Sequence, residues 1–363
     1  MNTLQFLAHL GVIFSIGFMA SFLSISLLLL VFLCTLKFTR FIQEKPYIAS
    51  YQIWNRCLSI SLLMTTAMAV PVVLQISSVW PNIWSYMPSQ VSVLLCLSTC
   101  IIIFCQLGLM RSSLYEKYNL QHQLLKYQSL GATILFFILV YFTLLSTYWI
   151  IHPQEADFSQ SFNIHIFFSC ILLAILGALP LGLLMLTTVT WRSSFFPLHE
   201  GNRLVQKNAL IFAWIGWCTF ALLSLLLHYN VPNYWQWGYQ NHPFFTLLFI
   251  LGLLYTIAII IWLTLHWPKY KDNQSPVLNQ LLPYTSLVGL IISLTFYAVA
   301  IDYALSNQLN VLLLYEGDNV FILSLGLVIW FSIYALLTFA FGRMMYSSAK
   351  NGIELLHSSH HHE

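Results

Sequence analysis

The chain's 14 Lys and Arg residues all fall in alternate segments between its apolar stretches, and this constrains the fold more than any motif does. Nine stretches are long and apolar enough to cross a bilayer: approximately 10–36, 57–79, 89–110, 129–151, 164–191, 208–228, 244–266, 283–305 and 320–341. A span needs about 20 such residues, because a helix rises ~1.5 Å per residue across a hydrocarbon core ~30 Å thick. Lys37, Arg40, Lys45 and Arg56 follow the first stretch. Arg111, Lys117 and Lys126 follow the third, and Arg192, Arg203 and Lys207 the fifth. Lys269 and Lys271 follow the seventh, and Arg343 and Lys350 the ninth. The intervening connections hold none. Cationic loops stay cytoplasmic, so the N-terminus is expected outside and the C-terminus in the cytoplasm. A missed or invented helix would scatter basic residues over both sides, so the charge pattern tests the helix count independently of hydropathy.

Composition points the same way. Only 7% of the residues are charged and 59% are hydrophobic, against roughly 25% charged in a soluble domain. The expected fold is an all-α integral membrane protein: one nine-helix bundle over residues 1–363, multi-pass in the inner (cytoplasmic) membrane. No ten-residue alternation of the barrel kind is present, and no basic run is long enough to suggest nucleic acid. The first apolar stretch has no Lys or Arg before it and exceeds a signal h-region of ~7–15 residues, so it reads as a span. Pro71 and Pro180 fall inside spans, where neighbouring helices re-satisfy the freed backbone groups. Trp80, Trp84, Tyr234, Trp235, Trp237 and Tyr239 flank the outer ends and suit the headgroup belt.

Chemistry-bearing residues are sparse. Asp302, near the outer end of the eighth stretch, is the one acidic candidate within the spans. It reads either as solvated at the interface or as part of a proton route or subunit contact. Such scarcity argues against proton-coupled transporters and ion pumps, which need more buried ionisable groups. The chain's 7 cysteines form no CxxC pair and read as buried thiols, with Cys96 and Cys100 one turn apart. Of 12 histidines, His9, His152, His165, His228 and His242 sit on or near the outer face. An imidazole at a helix end can ligate haem iron or hydrogen-bond at the interface. The terminal His360, His361 and His362 read as a solvated tail without chemistry. No CxxCH, GxGxxG, GxxxxGK or HExxH motif occurs. Gln75 and Asn82, polar in or near the second stretch, are expected to hydrogen-bond between helices.

The order of residues resembles subunit I of the cytochrome bd quinol oxidases, which also has nine helices and an outer N-terminus. Leu4-Gln5-Phe6 stands before the first stretch, like the family's Leu-Gln-Phe. Trp54 opens the second, and Ala67-Met68-Ala69-Val70-Pro71 through Gln75 to Trp80 is similar to the family's segment there. Leu130-Gly131 through Trp149 to Pro153, then Asp157-Phe158, resembles its fourth helix and following turn. Gly317-Asp318 precedes the last stretch, as in the family. The resemblance implies that His165 stands where the family has a ligand of its low-spin haem b, making it the candidate iron ligand here.

Departures from the family are as informative. Ile13 stands where the family has a haem-ligating histidine, with His9 one turn earlier on the same face as a candidate substitute. Ser89 and Leu97 replace two glutamates of the third helix, Thr295 a glutamate of the eighth, and Leu248 the methionine opposite the low-spin histidine. The long quinol-binding loop between helices six and seven shrinks to about residues 229–243. Hydrocarbon side chains cannot ligate iron, and a neutral lining does not deliver protons.

Three readings stand open. The first is a haem-poor, structural subunit of a bd-type quinol:oxygen oxidoreductase or related respiratory complex. It is not catalytic alone, and it is paired with a second, haem-bearing membrane subunit. The second is a single-haem-b subunit taking electrons from quinol, with His165 as one axial ligand and His242 as the other in place of the missing thioether. The third is a transporter or lipid-binding membrane protein with helices broken at Pro71 and Pro180.

Overall fold

The computed structural model describes helix α1 (Lys45–Val79), helix α2 (Pro243–His266) and helix α3 (Val320–Ser358). It also describes individual helical residues between 11 and 33, 93 and 107, 211 and 218, and 236 and 240. All described residues are helical. The predicted spans 129–151, 164–191 and 283–305 lie outside them, and the count of nine with them.

Among the described residues, two windows are long and apolar enough to cross a membrane, Asn55–Gln75 in α1 and Ser324–Met344 in α3. Helix α2 begins one residue before the expected stretch and ends with it. Helix α1 instead starts well upstream of its apolar run, with Pro46 in its first turn, where the missing N–H costs nothing. Helix α3 likewise continues past residue 341 to Ser358. Hydropathy registers only the apolar part of a helix, so both polar extensions escaped it. Pro71 is buried inside α1 without ending it, so the interrupted helix expected by the transporter reading is absent there.

The residues between 11 and 33, α1 and α3 pack as one unit. Ser15 hydrogen-bonds Gln75, and Ser26 Oγ lies 3.4 Å from Thr65 Oγ1. As one number rises the other falls, so this N-terminal segment runs antiparallel to α1. Against α3 three ring pairs form. Phe14 meets Phe331 at 5.4 Å and Phe18 stacks on Tyr334 at 5.0 Å. Phe22 meets Phe341 edge-on at 5.0 Å. Here both numbers rise together, so the segment and α3 are parallel. The start of α1, with Lys45 and Arg56, and the later part of α3, with Arg343 and Lys350, accordingly point toward one end of the bundle.

The seam between the N-terminal segment and α1 is built from Ile25, Leu29, Leu33, Leu58, Leu62 and Met68, interleaved with small hydroxyl residues. Those hydroxyls donate one turn back along their own helices: Ser26 to Phe22 O at 2.9 Å, Ser61 to Cys57 O at 2.9 Å and Thr65 to Ser61 O at 2.9 Å. Small residues let helices approach closely, and the backbone bonds remove the cost of burying their oxygens.

The contacts also fix relative depth. Phe22 is level with Phe341, and Ser26 with Thr65. Arg343 therefore stands level with the middle of the Asn55–Gln75 window, although it closes its own window, Ser324–Met344. Tyr334, the middle of that window, is level with Gln75, the last residue of the other. The two windows are displaced by about ten residues, or ~15 Å at the helical rise.

Exposure follows this displacement. On α3, Leu325, Val328, Ile329, Leu336 and Phe339 are exposed, and Leu336 and Phe339 stand level with the exposed Val70, Val73 and Leu74 of α1. From Asn55 to Ala69 no α1 residue is exposed. The lower half of the α1 window is thus buried or half-buried against protein, while its upper part and α3 bear apolar surface that needs an apolar surrounding.

The expectation that all cysteines are buried is corrected. Cys57 is buried, but Cys96, Cys100 and Cys218 are exposed as free thiols. A thiol behaves as a small hydrophobe, and in a bilayer an outward-facing hydrophobe meets lipid rather than water.

Candidate functional site

Among the described residues, polar side chains from three helices converge at the end of the three-helix unit where α1 finishes. Gln75 reaches it from the last turns of α1 and is 3% exposed. Ser15, fully buried, comes from the N-terminal segment, and Tyr334, 2% exposed, from α3. Ser15 Oγ hydrogen-bonds Gln75 Oε1 and also lies 2.8 Å from the Gly11 carbonyl. A hydroxyl carries one proton, so Ser15 donates to one of these at a time. Tyr334 donates to the same Gln75 oxygen at the long distance of 3.5 Å, and its ring lies almost flat on Phe18, 12° from parallel.

Gly11 explains why the three helices can meet. A Cβ at this position would overlap Leu327 Cδ2 and stand 2.7 Å from Gln75 Nε2. With no Cβ at Gly11, the tips of Leu327 and Gln75 come up against the segment here, and a larger residue would have to displace them.

This cluster is neutral. Two hydroxyls and a carboxamide can orient helices or hold another hydrogen-bonding group, but they supply no carboxylate and no imidazole. A phenol oxygen can ligate haem iron, yet Tyr334 has Phe18 stacked on its ring and its hydroxyl turned to Gln75. Among the described residues no group of three His, Cys, Asp or Glu is placed to hold a metal ion. Leu248, half-buried in α2, presents hydrocarbon where the resemblance expects a thioether.

The predicted haem-site residues His165, His9 and His242 lie outside the described residues, as do Ile13, Ser89, Leu97, Thr295 and Asn82. The sequence expectation that Gln75 bonds between helices holds. Sequence reasoning missed its partners Ser15 and Tyr334. The one signal available was Gly11 one turn before Ser15, a small-residue pattern that permits close helix approach.

A second polar contact joins α2 to its neighbour: Trp214 Nε1 donates to Thr264 Oγ1 at 2.7 Å. Thr246, Leu253, Ile257 and Ile260 form the more buried stripe of α2, while Phe244, Leu247, Leu251 and Leu254 are exposed. One face of α2 therefore packs on protein and the remainder needs an apolar surrounding.

No family model matches the chain. No curated protein matches it by sequence. By fold it is similar to a chain in the structure of bd oxidase from Geobacillus thermodenitrificans, with a TM-score of 0.76 at 13% identity, covering 97% of this chain and 100% of that one.

Proposed function

We propose that this chain is an integral-membrane subunit of a cytochrome bd-type quinol oxidase or a related respiratory complex. In this reading it is haem-poor and structural, and it pairs with a second membrane subunit that bears the haem. The observation that carries the reading is the end-to-end likeness in fold to a bd oxidase chain, over 97% and 100% of the two lengths. The chemistry of the residues supports the haem-poor part. Leu248, Ile13, Leu97 and Thr295 offer nothing that binds iron as the family ligands do, and the polar cluster at Gln75 is spent on joining three helices.

On this reading the chain's work is mechanical. It presents a stiff, apolar bundle to lipid and to its partner, and quinol oxidation and oxygen reduction occur on the partner's cofactors. Inner-membrane placement with the C-terminus in the cytoplasm follows from the segregation of all 14 basic residues.

Purification of the tagged chain from native membranes in mild detergent tests the pairing. A second, different membrane polypeptide is expected in equal amount. A chain that runs alone or as a homo-oligomer would overturn the reading in favour of a transporter.

A further inference from the structure

Arg343 occupies an unusual position. It is exposed on α3, one turn after the exposed Phe339 and directly after Gly342. A Cβ at Gly342 would meet nothing within 4 Å, so space is open beside the guanidinium stem. The contact of Phe22 with Phe341 sets Arg343 level with the middle of the α1 window. Among the described residues the exposed apolar side chains nearest this level are Phe339 on α3 and Val70 on α1, and no α1 residue from Asn55 to Ala69 is exposed. No acidic residue lies on α1 or α2, and the one on α3 is Glu354, three turns further along. The described helices therefore offer Arg343 no carboxylate at its own depth. Lys350 follows two turns on at the same helical register.

We propose that Arg343, on the α3 face, binds the phosphodiester of an anionic phospholipid of the inner leaflet. Charge complementarity identifies the occupant. A guanidinium beside exposed apolar side chains takes a phosphate through two parallel N–H···O bonds, and Lys350 follows it in the sequence as a second cation. This inference rests on the membrane reading and is independent of whether the chain belongs to a respiratory complex.

Native mass spectrometry of the full chain, with any subunit that co-purifies, tests it during titration with phosphatidylglycerol or phosphatidylcholine. The wild type is expected to retain phosphatidylglycerol in preference. R343Q is expected to lower phosphatidylglycerol affinity about tenfold and leave phosphatidylcholine unchanged. Wild-type phosphatidylglycerol binding in R343Q would overturn the proposal. So would loss of a co-purifying polypeptide with lipid binding intact, because the occupant would then be a protein carboxylate. Should R343Q not accumulate, R343K keeps the charge and carries the test. Losing the forked donor pair is expected to reduce the preference about two- to threefold, and an unchanged preference overturns the proposal equally.

Discussion

Phe22 and Phe341 meet edge to face with their ring centres 5.0 Å apart, and this contact sets the depth of the last helix against the first. Both rings are buried, at 0% and 5% exposure. Because the two helices are parallel, a shift of α3 by even one turn would break all three ring pairs together.

The displacement can be measured directly. Nitroxide labels at Thr66→Cys and Arg343→Cys, in a chain otherwise free of cysteine, report depth through relative accessibility to oxygen and a water-soluble nickel chelate. The two labels are expected at the same depth within about one helical turn, ~5 Å. A label at residue 66 reading the bilayer centre while that at 343 reads the headgroups would show the windows to be aligned instead.

Gly11→Ala is expected to destabilise the three-helix unit by about 1–3 kcal/mol, the usual cost of overpacking. The added methyl overlaps Leu327, a movable side chain, and approaches Gln75 Nε2. Leu327→Ala in the same chain is expected to restore part of the loss, because it clears the nearer obstacle. Thermal unfolding in detergent reads both, and a neutral Gly11→Ala would contradict the close approach.

Gln75→Leu is expected to cost about 1–2 kcal/mol, since it leaves the Tyr334 hydroxyl buried without its acceptor. Tyr334→Phe alone is expected to cost less, because its bond is long and the ring stack on Phe18 survives. A double-mutant cycle is expected to return a coupling near ~0.6 kcal/mol, the average for hydrogen bonds between membrane helices. Strict additivity would mean that the two groups do not interact.

Tryptophan substitutions separate lipid-facing from protein-facing positions. Leu336→Trp and Phe339→Trp, at 69% and 70% exposure, are expected to change stability by less than about 0.5 kcal/mol. Brominated lipid should quench their added fluorescence. Leu62→Trp, at 0% exposure, is expected to cost about 1–3 kcal/mol and to escape quenching. Quenching at position 62 would place lipid where the fold places protein.

Much of the framework was legible in the sequence because lipid enforces it. The α2 boundaries followed from hydropathy to within a residue, since a span must be apolar over a fixed length. Gln75 was legible as an interhelical bond because an amide in hydrocarbon needs a partner. The displacement of α3 was not, because hydropathy reads each helix alone and gives residues 57–69 the same weight whether lipid or protein surrounds them. The exposure of Cys96 and Cys100 was hidden for the same reason: in a bilayer an apolar side chain carries no sign of which way it faces. The haem question rests on His165, His9 and His242, which lie outside the described residues, so the fold bears on it only through what Leu248 and the Gln75 cluster lack.

Haem accounting on the native complex tests the central claim most directly. The complex is split in mild detergent, haem b is quantified on each polypeptide, and the optical spectrum is repeated on His165→Ala. The proposal predicts that the haem stays with the partner subunit and that the spectrum of His165→Ala is unchanged. One haem b per isolated chain, lost in His165→Ala, would contradict it and make this chain an electron-transfer subunit.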